Sequence, residues 1–169
     1  MAGVSVMALA VVLIGTGAGA VIDLRTRRVP DSVTLPLAAA GLVLAAAGLG
    51  RVGMMAACAG LATGLLLMLP GYLFGGTGGG DVKLLAAAGS LLGPHDTLWA
   101  FAFTLIAGAV LALSVAVVRG RFALTMRRTA GLAAGRGGGH EDIRRPDAGN
   151  RFAYAPAIAA GVMAALVRP

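Results

Sequence analysis

Residues 74–85 read FGGTGGGDVKLL, and this stretch interrupts a chain that otherwise consists mostly of Ala, Leu, Val and Gly. Glycine fills five of the six positions 75–80, and the ionisable residues Asp81 and Lys83 follow directly. Each glycine costs a helix roughly 1 kcal/mol relative to alanine, and it permits positive φ angles and the close approach of another backbone. We therefore expect the glycine run to be non-helical and to separate two apolar helices.

The composition lies in the range of membrane proteins, with 58% hydrophobic residues, 12% charged residues and a mean hydropathy of +0.87 over 169 residues. A spanning helix needs about 20 apolar residues. We predict an all-α, polytopic membrane bundle with about six transmembrane helices in a single domain. The predicted segments are residues 4–22, 33–49, 54–74, 82–92, 97–118 and 152–167. The fourth is too short to cross alone, so we expect a partial span or a locally thinned bilayer.

The basic residues are distributed unevenly between the loops that these segments define. Twelve of the fourteen Lys and Arg residues fall on one side, and only Arg51 and Arg168 fall on the other. The positive-inside rule then predicts a multi-pass membrane protein with both termini outside the cytoplasm. The Arg- and Gly-rich residues 119–150 become a cytoplasmic loop. We expect these arginines to bind anionic lipid headgroups of the bilayer rather than nucleic acid.

The first segment is expected to be a retained span and not a secretory signal, because its basic residues follow the apolar run. Its small residues Gly15, Gly17, Ala18 and Gly19 predict a surface for close helix packing and no nucleotide site. The single cysteine, Cys58, allows no disulfide within the chain, and a zinc site is implausible. We expect no metal and no cofactor.

Two acidic residues are candidates for chemistry. Asp23 ends the first segment and Asp81 begins the fourth, so the charge bias places both on the cytoplasmic side. An ionisable group at membrane depth costs about 2.5–3.5 kcal/mol and is usually functional. The alternative is that each only caps a helix and pairs with a nearby cation, Asp23 with Arg25 or Arg27 and Asp81 with Lys83. Asp31 is interpreted as the N-cap of the second segment.

Two aspartates close together in a poorly solvated site cannot both ionise. One pKa rises, and the pair titrates as a unit that holds one proton. This is the arrangement of aspartic proteases, in which the ionised carboxylate takes a proton from water and the protonated one hydrogen-bonds the scissile carbonyl. Asp23 and Asp81 are therefore the predicted catalytic pair. The glycines beside Asp81 would let an extended substrate approach the backbone closely.

The chain resembles the type IV prepilin peptidases, membrane aspartyl proteases of the GxGD class. Residues 78–84 carry the pattern G-x-G-D-x-K-L, and residues 23–31, DLRTRRVPD, look like the family's first motif. Residues 151–161, RFAYAPAIAAG, are similar to its last-span motif, with Ala153 in place of a proline. The chain looks like the short form associated with Flp-type, tight-adherence pili, since it has one cysteine and no tetracysteine region.

The resemblance implies that Asp23 and Asp81 are catalytic and that the substrate is a prepilin or pilin-like protein cut on the cytoplasmic side of its apolar segment. It makes N-methyl transfer doubtful. The expected substrate-binding residues are Gly78, Gly79, Gly80, Lys83 and Tyr154. Lys83 would lower the pKa of one aspartate or steer an acidic substrate residue, or else only extend to the interface. Tyr154 would hydrogen-bond in the site or anchor a span end.

Two other functions are compatible with the same aspartates. A small proton-coupled transporter would use them as a relay, but few polar groups follow them through the segments. A non-catalytic pilus-assembly subunit would keep its role when both become Asn. The sequence leaves the pilin, the cleaved bond and the oligomeric state open.

Overall fold

The computed structural model describes residues 2–118 and 154–168, and they form six α-helices with no strand among them. The helices are α1 (Ala2–Thr26), α2 (Asp31–Ala46), α3 (Met54–Leu73), α4 (Gly79–Leu92), α5 (Pro94–Val118) and α6 (Ala155–Val167). Each corresponds to one predicted segment, so the all-α helical bundle is confirmed.

Three of these helices are long and apolar enough to cross a membrane: Val6–Thr26 in α1, Met54–Leu73 in α3 and Pro94–Val115 in α5. The helices α2 and α6 are apolar but shorter. Together they define a helical membrane protein. The three long helices keep large apolar side chains exposed, as with Ile14, Leu66 and Ile106. Such side chains suit a hydrocarbon solvent.

The short helix α4 lies at the centre of the bundle, where it packs against all five other described helices. Eleven of its fourteen residues are buried, and Leu84 and Leu85 are completely inaccessible. At about 1.5 Å per residue it is about 21 Å long, which is less than the ~30 Å hydrocarbon core. Because its neighbours surround it, α4 does not need to span lipid. Its near-continuous apolar sequence reflects protein contacts on every side.

Close helix contacts depend on small residues in α3 and α4. A Cβ atom on Gly60 would lie inside contact distance of the Gly89 carbonyl oxygen, and one on Gly64 would lie 2.6 Å from the Leu85 carbonyl oxygen. Gly60 and Gly64 are four residues apart and share a face of α3. This face allows the backbones of α3 and α4 to touch, as small residues do in membrane helices.

The small-residue surface predicted on α1 is correct in part. Gly15 faces the Leu37 side chain of α2, and a Cβ atom on Gly19 would lie 3.1 Å from the Leu84 side chain of α4. Gly17 has no neighbouring atom within 4 Å in the described part of the chain, and Ala18 is exposed. Only one stripe of α1, with a spacing of four residues, is therefore used for helix packing.

The cytoplasmic loop predicted at about residues 119–150 lies outside the described residues, as does Arg151 of the last motif. The single-domain organisation of residues 1–169 and the lipid contacts of the loop arginines stay predictions. The two basic residues predicted on the opposite side do contact the same helix. Arg51 pairs with Asp96, 3.6 Å away, and the Arg168 guanidinium stacks on Trp99, both in the first turns of α5.

Candidate active site

Asp23 lies in the last turn of α1 and is only 4% exposed. Its Oδ2 atom accepts a hydrogen bond of 3.1 Å from the backbone N–H of Ala155, the first residue of α6. The backbone N–H of Tyr154 points to the same carboxylate. The first N–H groups of a helix have no partner within the helix, and they carry its positive dipole end. Asp23 therefore caps α6 from another helix.

Asp81 is the third residue of α4 and is 6% exposed. Its Oδ2 atom accepts a hydrogen bond of 3.1 Å from the backbone N–H of Gly78, the residue before the helix. Its Oδ1 atom is buried and has no hydrogen-bond partner among the residues that the structure describes. One oxygen is thus held by the backbone, whereas the other is left for a proton or a ligand.

The helices α1 and α4 meet one turn away from both aspartates, where Gly19 packs against Leu84. Gly19 precedes Asp23 by four residues and Leu84 follows Asp81 by three, so each pair shares a helix face. This contact brings the two carboxylates into the same region. Asp81 lies outside the membrane-spanning segments, and burial raises its pKa to about 6. The hydrogen bond from Gly78 opposes that shift, and the negative charge of Asp23 adds to it.

The structure overturns the expectation that the whole glycine run is non-helical. Helix α4 begins at Gly79, and within residues 75–80 only Gly75 has a positive φ, of 76°. A Cβ atom on Gly80 would lie 2.7 Å from the Val29 carbonyl oxygen. The close backbone neighbour of Gly80 is therefore the connection between α1 and α2, which occupies the place expected for a substrate. Gly79 instead faces the Tyr72 ring at an ordinary contact distance.

Lys83 does not pair with Asp81, contrary to one of the sequence interpretations. Its ammonium binds both carboxylate oxygens of Asp31, at 2.7 and 2.9 Å. Both side chains are about half exposed, and such surface pairs usually stabilise a fold by less than about 1 kcal/mol. Positions 81 and 83 point to different sides of α4 because residues two apart do not share a helix face.

Asp31 is also not the N-cap of α2. That position belongs to Pro30, which makes no side-chain cap bond, and Asp31 is the first helical residue. The Asp31 side chain does not turn back to cap α2, because it forms an ion pair with Lys83. This ion pair joins the start of α2 to the first turns of α4. The expected N-cap role of Asp31 is therefore wrong.

Tyr154 lies at the N-cap position of α6, next to the backbone groups that face Asp23. Its ring packs on Gly108 in α5, where an added Cβ atom would lie 2.7 Å from both the hydroxyl oxygen and a ring carbon. Burial raises the pKa of Tyr154, and the negative charge of Asp81 raises it further. The side chain thus lies near Asp81, and it anchors the start of α6 on α5.

Sequence reasoning did not find the backbone donors to Asp23 or the role of Gly108. One signal was available, because Pro156 directly after Ala155 is typical of a helix start. A helix start presents free N–H groups to any nearby acceptor. The contact of Gly108 with Tyr154 depends on tertiary packing and leaves no local signal.

These features define a membrane-embedded bundle with two buried aspartates at one end. The model of the type IV leader peptidase family matches residues 7–113, and this chain belongs to that family. The match includes Asp23 and Asp81 but ends before α6. No solved structure matches the chain.

Relatives with similar sequences carry the name prepilin leader peptidase/N-methyltransferase. The protein from Bacillus subtilis (strain 168) is 33% identical over 107 residues, which cover 62% of this chain and 42% of the relative. The protein from Burkholderia pseudomallei (strain 1026b) is 36% identical over 114 residues, which cover 59% of this chain and 34% of the relative. The chain therefore spans less than half the length of these relatives.

Proposed function

We propose that this chain is an aspartyl endopeptidase of the cytoplasmic membrane that removes the leader peptide from type IV prepilins, with Asp23 and Asp81 as its catalytic pair. The observation that carries the proposal is the burial of two carboxylates, from α1 and α4, at the same end of the bundle, where the negative charge of Asp23 adds to the raised pKa of Asp81. Family membership supports the reaction class. The names of the relatives support the substrate class.

The chemistry follows from a pair that holds one proton. The ionised aspartate takes a proton from water while the water oxygen attacks the carbonyl carbon of the scissile peptide bond. The protonated aspartate gives its proton to the carbonyl oxygen, so that a neutral gem-diol forms. The proton taken from water then passes to the amide nitrogen as the C–N bond breaks. A diol hydroxyl returns a proton to the second aspartate, which restores the pair.

Several finer features belong to this proposal. The basic residues favour an orientation with the aspartates towards the cytoplasm and both termini outside. The likeness to the short form of the family favours a Flp-type prepilin. Among the expected substrate-binding residues, Gly78 and Lys83 are exposed, whereas Gly79, Gly80 and Tyr154 are half-buried. Gly80 is backed by Val29. An acidic substrate group that reaches Lys83 would have to displace Asp31.

The test is coexpression of the full chain with a candidate Flp-type prepilin, with cleavage followed by the mobility of the prepilin on a gel. We expect the wild type to shorten the prepilin and Asp23→Asn and Asp81→Asn each to leave it uncut, at equal membrane levels. Processing retained by either variant would remove the dyad assignment. Normal pilus assembly with both variants would instead favour a non-catalytic subunit.

A further inference from the structure

The two aspartates differ in the groups that surround them. Asp23 faces the open N-terminus of α6, where the Ala155 N–H donates to its Oδ2 and the Tyr154 N–H points to the same carboxylate. Within the described part of the chain, Asp81 has one hydrogen bond, from the Gly78 N–H to its Oδ2. Both helices direct their positive ends at a carboxylate, and each aspartate accepts one backbone hydrogen bond of 3.1 Å. The additional N–H of Tyr154 that points to Asp23 favours this residue as the carrier of the negative charge.

The second oxygen of Asp81 provides an independent observation. Its Oδ1 atom is buried and has no hydrogen-bond partner within residues 2–118 and 154–168. A full negative charge is costly on a carboxylate when one of its oxygens is buried without a hydrogen-bond donor. A proton on that oxygen removes the charge and provides one O–H donor for a substrate carbonyl. Asp81 is therefore suited to the neutral form in the resting pair.

We propose that Asp23 is the ionised aspartate that takes the proton from water, and that Asp81 holds the proton given to the scissile carbonyl, with the N-terminus of α6 as the positioning element that fixes these roles. The assignment rests on the proposed peptidase function and specifies how it operates. Tyr154 at the start of α6 faces Asp81, and the Lys83 ammonium of α4 is engaged by Asp31 of α2.

Removal of a single backbone donor distinguishes this assignment from its reverse. An Ala155→lactate substitution replaces the N–H that faces Asp23 with an ester oxygen and leaves the side chain unchanged. If Asp23 is ionised in the active pair, it gains its proton more easily without this donor. The acid limb of the pH profile of kcat/KM then moves upward by about one pH unit, and the alkaline limb stays in place. In the reverse assignment, only the alkaline limb moves.

The reciprocal substitution acts on the other aspartate. Gly78→glycolate removes the N–H that donates to Asp81, which in our assignment ionises only at the alkaline limb. We expect that limb to move upward and the acid limb to remain. Ala159→lactate is the matched control, because it places the same ester one turn further along α6, away from both carboxylates. It is expected to leave both limbs in place.

The measurement uses the purified full chain in detergent micelles with a prepilin substrate, over the pH range in which each variant keeps its wild-type elution profile. A shift of the acid limb with Ala155→lactate, together with a shift of the alkaline limb with Gly78→glycolate, establishes the assignment. Interchanged shifts, or no shift in either variant, overturn it while the peptidase function stands. A wild type that cleaves no prepilin overturns the peptidase function itself.

Discussion

Asp23 and Ala155 are 132 positions apart in the chain, yet the carboxylate of the first accepts a hydrogen bond of 3.1 Å from the backbone of the second. This contact joins the end of α1 to the start of α6 at the level of Asp81. A cap supplied by another helix makes the position of the carboxylate depend on the tertiary fold. The candidate site is therefore complete only when α6 is packed in place.

The first prediction separates this structural role of Asp23 from its proposed chemical role. Asp23→Asn keeps a side-chain oxygen that can accept from Ala155, whereas Asp23→Ala leaves the start of α6 without its cap. We expect Asn to abolish cleavage with little loss of stability, and Ala to lower stability by about a further 1 kcal/mol. Thermal unfolding in one detergent provides the comparison. Equal unfolding temperatures for the two variants would contradict the capping role.

Much of the fold could be predicted from the sequence because long apolar runs in a chain of this composition have few alternatives to membrane helices. The six segments, the short fourth helix and the pair Asp23 and Asp81 were all visible as patterns. The burial of α4 inside the bundle was not, because a central helix and a partial span have the same apolar sequence. Length alone cannot distinguish them.

The errors in the candidate site arose from tertiary contacts. Lys83 is close to Asp81 in sequence, but its partner is Asp31, 52 positions away. The space beside Gly80 suggested a substrate, and Val29 fills it. The interpretation of Lys83 considered a neighbour in sequence and that of Gly80 a substrate, whereas the connection between α1 and α2 folds over the start of α4. No local pattern in residues 27–31 indicates that contact.

The second prediction concerns the pH dependence of stability. Burial raises the pKa of Asp81 from 3.8 to about 6, so the folded chain binds more protons than the unfolded chain between these values. The contribution of Asp81 to the free energy of unfolding is fully present below pH 4 and is lost as the pH rises towards 6. The free energy of unfolding falls by about 3 kcal/mol at most over this range. We expect Asp81→Asn to flatten this dependence and to raise the unfolding temperature at pH 7.

The measurement is thermal unfolding of both proteins in detergent at a series of pH values from 4 to 8. Asp96→Asn provides the matched control. Asp96 also lies in the first turn of a helix, but this helix is α5, which begins where α4 ends. A decline between pH 4 and 6 that Asp81→Asn leaves unchanged would show that another group causes it.

The third prediction concerns the two glycines that begin α4. A methyl group on Gly80 would lie 2.7 Å from a backbone oxygen of Val29, which cannot move without shifting the connection between α1 and α2. Among the described residues, a methyl group on Gly79 would meet only the Tyr72 ring, at 3.4 Å. We expect Gly80→Ala to lower the free energy of unfolding by about 1–3 kcal/mol and to reduce prepilin cleavage strongly. Gly79→Ala is expected to leave the free energy of unfolding unchanged or to raise it slightly.

Chemical unfolding and prepilin cleavage, measured side by side for these two variants, test the close approach. Both substitutions add one methyl group to the same helix turn, so the general effect of alanine on helix formation is matched. Comparable losses in both variants would mean that the glycines serve the substrate or backbone flexibility, and not the packing of Val29.

The fourth prediction tests whether the contact between Tyr154 and Gly108 holds the start of α6. An added methyl group on Gly108 would displace the Tyr154 ring and, with it, the N–H groups that face Asp23. We expect Gly108→Ala to lower kcat/KM by about tenfold or more, because small displacements of a catalytic group reduce rates strongly. Gly17→Ala is the control, since it adds the same methyl group to a long apolar helix where no atom lies within 4 Å.

A double-mutant cycle separates this contact from a general packing defect. In a Tyr154→Ala background the ring is absent, so Gly108→Ala should have little further effect on cleavage. Kinetics of the four proteins with one prepilin, at equal amounts of folded enzyme, provide the comparison. If Gly108→Ala lowers activity equally with and without the ring, the two effects add, and α6 must be held at its N-terminus by contacts other than the one between Tyr154 and Gly108.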